Sequence, residues 1–128
     1  MRKLISILLS VLLLTACGQV GENGQGVAYV NIAAEEAKQI MDTEEGYIIL
    51  DVRTQEEYDQ GHIPGAILIP NTEITAEAEK VLTDKDQLIL VYCRSGRRSK
   101  LAAETLAQLG YTNVKEFGGI IDWPYETE

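Results

Sequence analysis

The chain is poor in residues that build metal centres and disulfides. It has two cysteines, one histidine, one tryptophan and three prolines in 128 residues. One histidine, His62, and two widely separated cysteines leave no ligand set for a protein-built zinc or iron site. No cofactor is expected. No apolar run reaches the roughly 20 residues that a membrane-spanning helix needs. Basic residues are also scarce: eleven Lys and Arg face twenty Asp and Glu, for a formal net charge of −9. That balance disfavours nucleic acid as a partner. The length suits one domain rather than two, and there are no internal repeats.

The longest apolar run is at the start. Met1-Arg2-Lys3 is a short basic region, and Leu4 to Leu14 is nearly all Leu, Ile and Val. This run is too short for a standard span and fits the core of a secretory signal peptide. Leu14-Thr15-Ala16-Cys17 follows and resembles a bacterial lipobox, whose cysteine is acylated and becomes the first residue of the mature lipoprotein. Ordinary signal cleavage and an uncleaved anchor are the alternatives. The expected organisation is a signal peptide over 1–16, a lipidated tether over 17–26 and a domain over 27–128. Gly18 to Gly26 carries four glycines, and such a tether reaches about 15–18 Å. The expected location is the cell envelope, either outside the cytoplasmic membrane or in the periplasm or outer membrane. Shedding Arg2 and Lys3 makes the mature chain still more acidic, so contact with the membrane would go through lipid.

With Cys17 acylated, Cys93 is the only free thiol. It ends the apolar run Leu88 to Tyr92 and opens Cys93-Arg94-Ser95-Gly96-Arg97-Arg98-Ser99. Helical spacing begins near Ser99. A thiol at a strand-to-helix turn meets inward-pointing N–H groups and a positive helix dipole, which favour thiolate over thiol. The arginines add charge that attracts a small anion. This is the layout of a cysteine nucleophile acting on an anionic substrate. The bland alternative is a buried, inert cysteine, and the three arginines, glycine and two serines nearby argue against burial.

The rest of the domain alternates strand and helix. Strands are expected over 27–32, 47–52, 65–69, 87–92 and 113–117. Helices are expected over 33–41, 54–60, 75–82 and 99–109, with a final turn over 120–123. In the last helix Leu101, Ala102, Leu106 and Leu109 are expected to face inward, with Gly110 as the stop. Strands apolar throughout are buried on both faces, which implies a parallel sheet covered by helices. Ligands of such sheets bind beyond the carboxyl ends of the strands. Asp51, Arg53 and Cys93 all fall at such ends.

Asp51-Val52-Arg53, Glu57-Tyr58, Gly61-His62-Ile63-Pro64-Gly65-Ala66, the loop from Cys93 to Ser99, and Gly118-Gly119 with Trp123 resemble, in this order and spacing, a single-domain rhodanese. The resemblance runs from about Tyr29 to Tyr125. It implies an α/β, three-layer fold with a five-stranded, mostly parallel sheet flanked by helices, and a cysteine that carries sulfur as a persulfide. The implied partners are a small sulfur-donor anion such as thiosulfate and an acceptor such as cyanide or a thiol. The oligomeric state is open from the sequence, with a monomer as the default. Phosphatases and arsenate reductases share the fold. The phosphatase loop places five residues between cysteine and arginine, whereas four separate Cys93 from Arg98 here. The shorter cradle suits a single sulfur atom. A carrier or binding module without its own turnover is the remaining alternative.

On this reading Cys93 is the nucleophile, and Arg94, Ser95, Gly96, Arg97, Arg98 and Ser99 form the substrate cradle. Arg94 and Arg97 are the expected anion contacts. Arg98 either touches substrate or turns to Asp51 or Glu57. Ser99 caps the helix or donates to the sulfur, with capping the safer expectation. Gly96 supplies a turn that a side chain would block. Asp51 and Arg53 support the strand end through ion pairs. His62 fixes a turn rather than acting as a base. Trp123 either walls the pocket or packs in the core.

Overall fold

The computed structural model describes residues 29–128. The expected signal peptide, the acylation of Cys17 and the tether lie outside the described residues. Five strands and four helices follow one another as β1 (Tyr29–Asn31), α1 (Ala34–Thr43), β2 (Ile48–Asp51), α2 (Gln55–Asp59), β3 (Ile67–Leu68), α3 (Ile74–Val81), β4 (Ile89–Cys93), α4 (Arg97–Gln108) and β5 (Val114–Gly119). Single 3-10 turns occupy Asn71–Glu73 and Ile120–Asp122.

The strands form one parallel sheet in the order β1-β5-β4-β2-β3. The run Ile-Leu-Val-Tyr-Cys makes β4 a central strand, buried at every position. Alternation along it divides the core. Ile89, Val91 and Cys93 face α3 and α4 with Leu50, Leu82, Ala102 and Leu106. Leu90 and Tyr92 face the other way, with Ile40, Ile49, Ile63, Phe117 and Trp123. The result is helix, sheet and helix in three layers.

The carboxyl ends of β2, β4 and β5 lie together, which brings Asp51, Cys93 and Gly119 to one edge. The β4–β5 ladder runs regularly from Ile89↔Val114 to Val91↔Glu116 and then slips, so that Cys93 faces Gly119. Strand β5 therefore spends one more residue than β4 over this stretch, a bulge beside the cysteine.

Three expectations change. Helix α4 starts at Arg97, two residues early, because Gly96 takes the N-cap position. With that start the inward stripe is Ser99, Ala102, Ala103 and Leu106, which is the i, i+3, i+4, i+7 pattern. Leu101 falls off this stripe and is 48% exposed. Cys93 itself is buried, with only 1% of its surface exposed. Polar neighbours did not prevent this, since strand alternation turns the thiol inward while Arg94 and Ser95 stay exposed.

Candidate active site at the end of strand β4

The turn after Cys93 is set by glycine. Gly96 has φ +105°, a left-handed conformation that side chains disfavour. That conformation aims the Gly96 N–H at the Cys93 Sγ, 2.9 Å away. A Cβ at Gly96 would sit in ordinary contact with the Gly118 Cα at 3.5 Å, so the conformation rather than space calls for glycine there. At Gly119 the packing is closer still: a Cβ there would lie 2.0 Å from the Arg94 carbonyl oxygen. The loop thus rests backbone to backbone on the end of β5. The Ile121 N–H donates to that same Arg94 carbonyl at 3.2 Å, which closes the contact.

Burial is the largest single influence on the Cys93 thiol and works upward. The Ser99 hydroxyl and the N–H groups of Ser99, Gly96 and Ser95 together outweigh it, and the thiol lies below its ordinary value. Amides aimed at a sulfur favour the anion. Ser99 is not the helix cap: it is fully buried in the first turn of α4, and its hydroxyl reaches the Gly96 carbonyl and Glu116.

The arginines divide. Arg94 and Arg97 are exposed, and among the described residues neither has a carboxylate at ion-pair distance. They are open to an anion. Arg98 is not: its two terminal nitrogens donate to the two Glu57 oxygens at 2.6 and 2.9 Å. Of the two roles expected for it, substrate contact or a turn toward Asp51 or Glu57, the structure shows the pairing with Glu57, a fork joining α4 to α2. Hydrogen bonding from Arg98 drives the Glu57 carboxyl down to about 2, against an opposing effect of burial and with help from Thr54. Asp51 and Arg53 do form an ion pair, but with each other. The Arg53 Nη2 lies 2.7 Å from Asp51 Oδ2 and also donates to the Gly61 carbonyl at 2.7 Å. Tyr92, directly across from Asp51 on β4, donates its hydroxyl to the same carboxylate at 2.6 Å. Burial, and then the Asp51 carboxylate, push the Tyr92 phenol upward.

His62 lies away from the thiol. Its Nδ1 meets the Tyr58 carbonyl at 3.0 Å, its ring stacks on Tyr58 at 3.8 Å, and its backbone pairs with Glu128. Trp123 packs between Phe117 and Tyr125. It also lines a concavity of about 470 Å³, with Met41, Tyr47, Ile49 and Ile63. No residue of the cysteine loop lines that groove. A second concavity, about 340 Å³, is lined by Arg53, Gly61, Arg94, Ile120 and Ile121; of the cysteine loop it meets Arg94 and not Cys93.

A family profile for the rhodanese-like domain matches residues 33–124. The chain belongs to the rhodanese-like family. Among curated proteins it is 42% identical over 73 residues to the thiosulfate sulfurtransferase PspE of Escherichia coli, an overlap covering 57% of this chain and 70% of that one. It is 39% identical over 88 residues to a sulfurtransferase of Allochromatium vinosum, covering 68% and 79%. It is 38% identical over 108 residues to "Putative sulfur carrier protein YrkF" of Bacillus subtilis, covering 84% of this chain but only 56% of that protein. Among solved structures, a rhodanese with anions from E. coli superposes with a TM-score of 0.60 at 38% identity, over 64% of this chain and 96% of that one. The rhodanese-like domain of an Anabaena protein gives 0.71 at 30% identity, over 77% of each chain.

Sequence reasoning missed two groups at this rhodanese-like site. Tyr92 reads as an ordinary core aromatic, and its hydroxyl contact with Asp51 depends on β2–β4 pairing. Glu116 was also overlooked, although a signal existed: it stands two residues after Val114 in β5, on the face that a strand of alternating burial turns inward.

Proposed function

We propose that the protein is a sulfurtransferase that carries sulfur on Cys93. In the first half-reaction the Cys93 thiolate attacks the outer sulfur of thiosulfate or a similar sulfane donor. The donor S–S bond breaks, sulfite leaves with its electron pair, and Cys93 becomes a persulfide. In the second, cyanide or a thiolate attacks the outer sulfur. The Cys93 thiolate departs, and thiocyanate or an acceptor persulfide forms. Both halves are displacements at sulfur and call for ping-pong kinetics. Loop amides stabilise the charge throughout, while Arg94 and Arg97 draw in the anionic donor.

The observation that carries this reading is the 2.9 Å contact from the Gly96 N–H to the Cys93 Sγ inside a basic loop. The test is thiosulfate-to-cyanide turnover, measured beside a Cys93→Ser variant and an aryl phosphate substrate. Turnover of thiosulfate, its loss in the variant and a one-sulfur mass gain on Cys93 are expected. Thiosulfate turnover by Cys93→Ser, or preferential phosphate hydrolysis, would sink the reading. The sulfur-carrier name of the B. subtilis relative supports a second reading, which predicts the mass gain without steady-state turnover.

The basic start, the apolar core and the Leu14-Thr15-Ala16-Cys17 sequence support export and acylation at Cys17, with the domain held in the cell envelope.

A further inference from the structure

Glu116 is fully buried at the end of β5. Among the described residues no Lys or Arg lies within ion-pair distance of it. A buried carboxylate without a cationic partner is costly, and it persists only where hydrogen bonds replace water. Three donors do so here. The Asn31 Nδ2, from β1, lies 2.6 Å from Oε2. The Ser99 hydroxyl and the Gly118 N–H reach Oε1 at 2.7 and 2.8 Å. Ser99 closes the cysteine loop, and Gly118 belongs to the bed on which that loop rests. Oε1 itself lies 4.0 Å from where a Gly96 Cβ would be, immediately behind the amide that meets the sulfur.

The Ser99 hydroxyl has one proton and several claimants. Glu116 Oε1 is nearest at 2.7 Å; the Gly96 carbonyl follows at 3.0 Å and the Gly118 carbonyl at 3.4 Å. Against the upward pull of burial, the hydroxyl is also one of the groups that hold the Cys93 thiol down, and Gly96, whose carbonyl it reaches, is the residue whose N–H meets the sulfur. A hydroxyl donates to one acceptor at a time. Whatever strengthens the pull of the carboxylate weakens its hold on the loop around the sulfur.

We propose that Glu116 is a positioning residue for sulfur transfer, setting through the shared Ser99 hydroxyl how much negative charge the loop stabilises on Cys93. This inference rests on the sulfurtransferase reading for its purpose. A more stabilised thiolate is a better leaving group when the persulfide is handed on and a weaker nucleophile when sulfur is taken up, so one carboxylate adjusts the balance between the half-reactions. The charged and titratable groups facing it are the Cys93 thiol, on the far side of Ser99, and the Tyr29 phenol on β1, which burial, then Glu104 and Glu116, push upward.

The test is the rate of Cys93 alkylation against pH, which needs no sulfur donor. Glu116→Gln keeps the shape but replaces the strong acceptor with a weak one. The alkylation midpoint is expected to fall by about one unit, equivalent to about tenfold faster modification on the acidic limb. Asn31→Ala removes a donor at the edge strand, so the carboxylate draws harder on Ser99 and the midpoint is expected to rise. In a Ser99→Ala background both shifts are expected to shrink. Unmoved midpoints in folded Gln and Ala variants, or shifts that persist at full size without the Ser99 hydroxyl, would overturn the proposal. Failure of thiosulfate turnover in the unmodified protein would instead overturn the sulfurtransferase reading and leave these shifts intact.

Discussion

Single side chains at this site divide into those left exposed and those that hold the loop. Arg94 and Arg97 are of the first kind, Arg98 of the second, although the sequence places all three within five residues. The Arg98–Glu57 fork has a measurable signature. The Glu57 carboxyl is held near 2 in the folded state and returns to about 4.5 when unfolded. A depressed acid supplies stability that is complete above the unfolded value and is lost as pH falls through the folded one. Glu57→Gln should therefore be less stable than the parent near neutrality. The gap should close as pH drops from about 4.5 to about 2. Both side chains are partly exposed, at 25% and 33%, so solvent screening reduces the expected gap to about 1–2 kcal/mol. Urea titrations of both proteins across that range provide the check, and a gap that widens with acid would contradict the assignment.

Elements meet most tightly where β5 passes under the cysteine loop. Gly119→Ala would drive a methyl into the Arg94 carbonyl and the Ser95 Cα, at 2.0 and 2.5 Å. Both neighbours are backbone, so neither can rotate away. The loop must lift, which breaks the alignment of the Gly96 amide with the sulfur. We expect at least a tenfold loss of sulfur transfer together with slower Cys93 alkylation near neutrality, because a thiol deprived of its amides ionises less. Parallel rate and alkylation measurements test this; unchanged values for both would show that the contact is not required. The same stretch shows what the sequence could reveal. Unbroken apolar runs announced β2 and β4, and the glycines Gly96 and Gly119 stood in motifs. The burial of the thiol is not legible in the sequence because polarity along the chain is a poor guide at a strand end, where alternation decides which way a side chain points. Glu116 escaped notice because its partners, Asn31 and Ser99, lie 85 and 17 residues away. Only the sheet order brings them together.

At the scale of the molecule, the domain is a parallel sheet with its chemistry at one edge, as its alternating pattern implied. What pattern could not give was the order β1-β5-β4-β2-β3, since continuous apolar runs do not say which strand lies beside which. The chain as a whole is acidic, with a formal net charge of −9, and a body of that sign is repelled by anionic lipid headgroups. Attachment to a membrane would then depend on acylation at Cys17. Cys17→Ala should move the full-length protein out of the membrane fraction and abolish labelling with a fatty-acid analogue, as fractionation and gel detection would show. Persistent labelling would point to another modified residue.

The slip between Val91↔Glu116 and Cys93↔Gly119 puts the two halves of β5 out of phase. The lower half obeys the core, and the upper half obeys the sulfur. Transplanting residues 93–99 alone onto a host sheet with an even ladder would therefore carry the nucleophile without its bed. The smallest portable unit is two segments, 93–99 and 116–119, moved together.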